Sequence, residues 1–393
     1  MFKFRLKFAI QKLLFLVSLS VFRIAFWGRK KQGTVIGNEE IASILYSLGQ
    51  ALPNSVTVNV ANNPYYKFNY DYHIGKYAIT RKFNAYITPL LLGYLAPQYK
   101  NFIYMSAPGF LCRELDGRAF EFKTLKKLGC NVICYFTGSD IRSFDLTREF
   151  SKQHNMDVIT SYQHISHKGI DLPANELVRK KAAEAADKYA SAIFNPIVDQ
   201  LTYIKRDCHP FLYFADKDQT HFFPEKFKEG TRKVIVHAPS SPIIKGTPIV
   251  RAAIKQLQEE GYDFEYIELI GVPNSVVLES LARAHIVLNE FYAFVPGVFG
   301  IETMMNNAVL LTSADRDIEP TLFDGANDAW VVTPYWRIYQ NLKAQLESPM
   351  AELQQQANKG TDWVLKYCTY EYSADYINNV INELEADNHA ESA

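Results

Sequence analysis

Cysteine is scarce and unpatterned in this 393-residue chain: Cys112, Cys130, Cys134, Cys208 and Cys368 are odd in number and form no CxxC pair. Neither a disulfide framework nor CxxC chemistry is expected, and a reducing compartment fits. Net charge is also missing, with 42 basic against 42 acidic residues. Eight of the cations fall within the first 31 residues, which hold no Asp or Glu, so the remainder carries 34 basic against 42 acidic residues. Such a body lacks the clustered positive surface that nucleic acid requires, and no nucleic-acid partner is expected. Internal repeats and low-complexity segments are absent too. Apolar content of 48% and charged content of 21% are those of a globular protein, long enough for two ordinary cores.

The basic N-terminus, residues 1–32, has its own character. Cations alternate with Phe and Leu up to Lys12, an uncharged run covers 13–22, and Arg29-Lys30-Lys31 closes it. The run falls short of the roughly 20 residues a spanning helix needs, and reaching Trp27 would place Arg23 in the membrane. Phe22-Arg23-Ile24 is no signal-peptide cleavage site. An interfacial helix on an anionic membrane surface is expected from residues 1–31; a helix docked on the protein's own surface is the alternative.

Beyond Gly33, helical and strand patterns alternate, as parallel α/β layers do. Residues 38–52 read as a helix capped by Asn38. Strands are expected at 55–60, 102–104, 132–136 and 191–194, with a helix over 177–189. Periodicity is lost from about 207 to 230, where an interdomain link is expected. A second alternating run follows: strand 234–237, helix 248–260, strand 264–269, helix 275–284, strand 286–288, helix 302–307, and strands 308–312 and 330–332. Three helical segments close the chain. The expected domains are 33–228 and 229–365, with 366–393 crossing back to the first.

Two loops in the second run carry chemistry. His237-Ala-Pro-Ser-Ser-Pro-Ile-Ile-Lys-Gly-Thr247 joins a strand to a helix, and Gly297-Val-Phe-Gly-Ile-Glu302 opens another helix with Glu302 in its first turn. Strand, loop and helix N-terminus is how an α/β sheet holds phosphate, through free amides and the positive helix end. One loop has a lysine and the other a carboxylate, which suggests a nucleotide-diphosphate ligand.

These residues resemble the C-terminal domain of retaining GT-B glycosyltransferases of group 1, often called family 4. Lys245-Gly246, the glycines Gly297 to Gly300, Glu302-Thr303-Met304 and the apolar 308–311 carry the likeness. Leu125 to Gly129, the strand 132–136 and Gly138-Ser139-Asp140-Ile141-Arg142 support it. The resemblance implies a GT-B α/β fold: two doubly wound, Rossmann-like domains facing a cleft, here preceded by a basic hydrophobic helix. It implies metal-independent catalysis with no cofactor. In that reading Lys245 holds the departing diphosphate and Glu302 the ribose hydroxyls, while Glu290 stands nearest to the donor sugar. His237, Ser240, Ser241, Gly246, Val272, Gly297, Val298, Phe299 and Gly300 complete the donor site. Gly138, Ser139, Asp140 and Arg142 face the cleft from the first domain. Each has a plainer alternative: an exposed helix-entry lysine for Lys245, charge compensation of a helix end for Glu302, and a helix cap with a salt bridge for Asp140 and Arg142. Gly297 and Gly300 would let the backbone approach the ligand closely.

The chain departs from the family at three places. Ser240-Ser241-Pro242 stands where relatives carry an arginine, Phe294 where they carry a glutamate, and Thr137 where several carry a histidine. Asp216-Lys-Asp218 and Asp315-Arg-Asp317 match the DxD pattern of metal-dependent enzymes without a suitable preceding strand. His154, His164 and His167 lack ligand spacing. The aromatic run from Pro64 to His73 is read either as surface packing or as a stacking platform for a sugar or lipid head. The expected activity is sugar transfer, with retention, from a nucleotide-diphosphate donor to a glycan or lipid-linked acceptor in polysaccharide or glycoconjugate synthesis, at the cytoplasmic face of a membrane. A nucleotide-sugar epimerase and an inactive GT-B-like scaffold are the rival readings.

Overall fold

The computed structural model describes residues 2–61 and 68–390. Pro64 to Lys67 of the aromatic run therefore lie outside the described residues. The chain divides into two compact units: Met1–Ser143, Leu172–Phe211 and Ala374–Ala393 form one, and Phe144–Asp171 with Leu212–Ser373 the other. The division differs from a single boundary at 228. Residues 144–171 cluster with the second unit, and the closing helix Tyr370–Ala390 passes into the first.

The first unit holds a parallel sheet of β1 (Thr34–Asn38), β2 (Ser55–Asn59), β3 (Tyr72–His73), β4 (Asn101–Met105), β5 (Asn131–Tyr135) and β6 (Ala192–Phe194). Its order, β3-β2-β1-β4-β5-β6, is that of a dinucleotide-binding domain. β1, β4 and β5 are buried along their whole length, as strands covered on both faces must be. The central strand β1 replaces the start of the expected helix. Asn38 is its last residue rather than a cap, and the helix begins only at Ile44. Gly37 explains the masking: a Cβ there would lie 3.0 Å from both Cβ and the carbonyl oxygen of Val58, so the strand carries a glycine where a β-former would advertise it.

The N-terminal helix Phe2–Ala25 packs on the first unit along its length. Phe8, Phe15 and Leu19 enter the core, and Phe15 meets Phe120 edge-on at 6.2 Å. Gln11 donates to the carbonyl of Ala85 at 2.9 Å and accepts from the amide of Cys112 at 2.8 Å. Ser18 donates to the carbonyl of Leu90 at 2.7 Å. Its opposite face, from Phe4 to Ile24, is exposed. The helix is thus docked on the protein and still presents an apolar face to the surroundings. In the described part of the aromatic run, Phe68 stacks on Tyr46 at 4.1 Å and Tyr70 donates to Glu40 at 2.8 Å, which is packing on the unit's own surface.

The second unit holds β7 (Lys233–His237), β8 (Phe264–Glu268), β9 (Ile286–Leu288), β10 (Val309–Thr312) and β11 (Val331–Val332), all parallel. The order β11-β10-β9-β7-β8 is doubly wound, with its crossover between β7 and β9. Such sheets bind ligands at the carboxyl ends flanking the crossover. The helix Thr247–Glu259 buries Val250, Ala253, Ile254 and Leu257 on one face, the i, i+3, i+4, i+7 stripe that packs a helix on a sheet.

Candidate nucleotide-diphosphate site

Both chemically loaded loops leave the carboxyl ends of the two strands at the crossover. Lys245, on the loop after β7, forms an ion pair with Glu290, just after β9. The carboxylate is 5% exposed and the ammonium 24%. The carbonyl of Glu290 accepts from the amide of Ser313 at 3.0 Å and the hydroxyl of Thr312 at 3.1 Å. Asn289 donates to the carbonyl of Pro296 at 2.6 Å. The loop carrying the carboxylate is therefore held at both ends.

His237 is wholly buried. Its Nδ1 is 2.7 Å from the carbonyl of Leu288 and its Nε2 is 2.9 Å from the hydroxyl of Thr247. A carbonyl only accepts, so Nδ1 carries the hydrogen and Nε2 accepts from Thr247. Burial pushes its pKa down. The residue clamps β7, β9 and the helix entry to one another, and it stands behind the site rather than on its surface.

The two helix openings differ. The amides of Lys245, Gly246 and Thr247 donate to the carbonyls of Ser241, Ile243 and Pro242, and Pro248 has no amide hydrogen. This opening has few donors left for an anion. The other helix, Gly297–Met305, starts five residues before Glu302. Its Gly297 amide donates to the hydroxyl of Tyr213 at 3.1 Å, while the amides of Val298 and Phe299 have no partner among the described residues. Anion-binding capacity thus concentrates at Gly297–Met305. Ser241 bonds Ser166 through its hydroxyl at 3.2 Å, and no cation replaces the missing arginine on that loop.

Glu302 sits in the second turn of its helix, not the first, beyond the reach of the helix-end dipole. Compensation of that dipole does not explain it. Burial raises its carboxyl pKa, opposed by a hydrogen bond from Asn274 at 3.3 Å. The glycines also play a different part from simple ligand approach. A Cβ on Gly297 would lie 2.9 Å from Oε1 of Glu290, and one on Gly300 would lie 2.9 Å from Cβ of Pro296 and 3.0 Å from Nδ2 of Asn289. Both glycines seat the helix against the Asn289–Glu290 turn. Val272 lies exposed on the loop after β8.

Several residues that sequence reasoning did not single out line the same region. The rings of Tyr162 and Tyr292 lie 4.8 Å apart, Tyr292 and Tyr335 5.4 Å, and Tyr162 donates to Asp157 at 2.7 Å. A Cβ on Gly246 would touch Phe291 and Tyr292. Phe294 is buried and packs on Phe150 at 5.8 Å, so the aromatic replacing the family's glutamate is a core residue. No local motif marks these contacts, because Phe150 and Tyr162 come from the distant segment that joins this unit.

In the first unit, Gly138, Ser139, Asp140 and Arg142 follow β5. Arg142 is 4% exposed and donates through Nε to the carbonyl of Asp199 at 2.6 Å and through Nη2 to its carboxylate at 2.7 Å. A guanidinium so committed is a structural strut, which removes Arg142 from the set of ligand contacts. Asp140 accepts from the amide of Thr137 at 3.2 Å, and burial raises its pKa. Ser139 is exposed, and Gly138 has φ 134°. In both DxD triplets the first aspartate accepts from the amide of the second, at 3.0 and 2.9 Å. Among the described residues no three His, Cys, Asp or Glu side chains gather as a metal site would require.

No protein-family model and no curated protein matches the sequence. Solved structures do resemble it. Sucrose-phosphate synthase from Thermosynechococcus elongatus superposes with a TM-score of 0.58 at 11% identity, over 91% of this chain and 100% of that one. HepE from Anabaena, in complex with UDP and glucose, gives 0.51 at 11% identity over 90% and 100%. A glycosyltransferase from Rickettsia africae ESF-5 gives 0.51 at 10% identity over 91% and 99%. These likenesses establish the fold. It is GT-B: two parallel-sheet α/β units, with an apolar helix at the N-terminus.

Proposed function

We propose that the protein is a retaining, metal-independent glycosyltransferase that moves a sugar from a nucleotide-diphosphate donor to a glycan or lipid-linked acceptor. The observation that carries this reading is the Lys245–Glu290 ion pair at the β7/β9 crossover, together with the helix Gly297–Met305, which carries Glu302 and whose Val298 and Phe299 amides have no partner among the described residues. In the reaction, the bond from the anomeric carbon to phosphate breaks and its electron pair leaves with the diphosphate. A bond to the acceptor oxygen forms on the same face as its O–H bond breaks, and the proton passes to the departing diphosphate. Lys245 and the two amides stabilise the charge that grows on the leaving diphosphate, aided by the positive end of Gly297–Met305. Glu302 accepts two ribose O–H bonds, the geometry a carboxylate provides. Glu290 holds Lys245 in place and accepts from a sugar hydroxyl. The N-terminal helix, exposed on its apolar face and rich in cations, rests on an anionic leaflet at the cytoplasmic side.

The test is incubation with a panel of nucleotide sugars and acceptors, with the product's anomeric configuration read by NMR. Retained configuration in a new glycoside supports the proposal. An epimerised free sugar without acceptor would instead identify an epimerase. The burial of Phe294 against Phe150 favours a second reading, a scaffold that binds donor without turnover.

A further inference from the structure

The exposed face of the N-terminal helix does not stand alone. Leu6, Leu13, Val17, Val21 and Ile24 are exposed at helical spacing and form one stripe, away from the Phe8, Phe15 and Leu19 that enter the core. A second stripe lies beside it. The helix Asn84–Leu95 follows the short helix Ala78–Lys82, and Tyr77, Ile79, Phe83, Tyr86 and Leu90 are exposed along this segment. The two long helices run side by side in the same direction, fastened by Gln11 to Ala85 and by Ser18 to Leu90. Phe22 meets Tyr94 edge-on at 4.8 Å. Gly93 permits the approach: a Cβ there would lie 2.6 Å from Cβ of Ser18. Val17 and Val21 of one stripe and Leu90 of the other line the same groove between the helices, so both stripes open on one side of the unit.

Charge follows the same division. Residues 1–31 hold eight Lys or Arg, residues 72–99 hold three, and neither segment contains Asp or Glu. Lys76, Arg81 and Lys82 are exposed. Aliphatic, aromatic and cationic side chains share this surface without a carboxylate among them. That mixture suits the boundary between headgroups and acyl chains of an anionic leaflet, whereas a protein partner would leave the exclusion of carboxylates unexplained. The packing also sets the mode of contact. The helix Phe2–Ala25 is long and apolar enough to cross a bilayer. Crossing would pull Phe8, Phe15 and Leu19 from the core and strip Gln11 and Ser18 of their partners.

We infer that the first unit meets an anionic membrane through a two-helix platform, with both stripes lying in the plane of the leaflet and neither helix spanning it. The inference rests on the reading of the N-terminal helix as membrane-facing and goes beyond it: residues 77–90, far from that helix in sequence, are an equal part of the contact.

The experiment is flotation of the full chain with sealed vesicles of phosphatidylcholine, with and without phosphatidylserine, beside melting curves that check the fold of each variant. The wild type should bind the anionic vesicles about tenfold or more tightly than the neutral ones. Val17→Gln with Val21→Gln, on the first stripe, should weaken that binding by about tenfold, and Ile79→Gln with Phe83→Gln, on the second, should do the same. Arg81→Gln with Lys82→Gln should also cost about tenfold on anionic vesicles and little on neutral ones. A membrane-impermeant maleimide should label vesicle-bound Lys3→Cys without lysis. Binding lost with the first pair but unchanged by both substitutions in 77–90 overturns the platform and leaves the membrane-facing N-terminal helix standing. Labelling of Lys3→Cys only after lysis shows a spanning helix and overturns the in-plane mode. Failure of the wild type to bind either vesicle sinks both readings, and a dimer that the same substitutions dissolve would give the face to a second copy instead.

Discussion

Lys245 and Glu290, 45 positions apart, form an ion pair that closes the β7/β9 crossover, with the carboxylate almost fully buried. The pair is itself electrically neutral before any ligand arrives, so an incoming diphosphate competes with Glu290 for the ammonium. Lys245→Ala removes the cation from a nearly buried carboxylate and should cost about 1–3 kcal/mol of stability. Lys245→Ala with Glu290→Gln should recover most of that loss without recovering nucleotide binding. Chemical denaturation beside nucleotide titration checks both halves.

Glu302 is strained toward its neutral form by burial. A carboxyl whose pKa is higher folded than unfolded binds more protons when folded, so its contribution to stability falls as pH rises through that window. Glu302→Gln should therefore raise the melting temperature of the ligand-free protein at neutral pH while abolishing nucleotide binding. In the wild type, nucleotide affinity should fall on acidification at a higher pH than an ordinary glutamate would allow. Calorimetric titration across pH reads this directly.

Gly297 has φ 63°, and its missing Cβ makes room for Glu290. Gly297→Ala should cost about 1–2 kcal/mol from the left-handed backbone alone and push Glu290 away from Lys245. The expected outcome is a destabilised protein with nucleotide affinity reduced at least tenfold.

Burial pulls the Lys226 ammonium down to about 7. The unfolded chain then holds a proton that the folded chain loses between that value and the ordinary lysine range, so stability should rise with pH through this interval. Lys226→Met should be more thermostable than the wild type below pH 7. That advantage should shrink toward pH 10, as melting curves across pH would show.

Phe15 is fully buried and Leu13 is 63% exposed on the same helix. Phe15→Ala should lose about 3–5 kcal/mol from the first unit, whereas Leu13→Ala should leave stability within about 0.5 kcal/mol and weaken vesicle binding. Denaturation and vesicle sedimentation separate the two roles.

Most strands and helices were legible because parallel α/β units write themselves as short apolar runs alternating with helical stripes, as at Val234 to His237 and Val250 to Leu257. β1 was hidden by Gly37, whose role is contact with Val58 across the sheet, a pairing that local sequence does not encode. The start of Gly297–Met305 was hidden by its two glycines, which look like loop residues until Asn289 and Pro296 are placed against them. Lys245, Glu290 and Glu302 were singled out because their types carry the chemistry. The pairing of Lys245 with Glu290 was not legible, since it depends on strand order. The aromatic wall of Tyr162 and Phe150 was out of reach, because the segment 144–171 joins a unit that begins 41 residues after it ends. The N-terminal helix was read as either membrane-facing or docked, and its two faces allow both.

The most direct test of the central claim is calorimetric titration of the full chain, and of Lys245→Ala/Glu290→Gln, with a panel of nucleoside diphosphates. The account predicts that one base binds with micromolar affinity and that the folded double variant fails to bind it. Equal binding by the wild type and the double variant, or no binding of any nucleotide to the wild type, would contradict the site at β7 and β9.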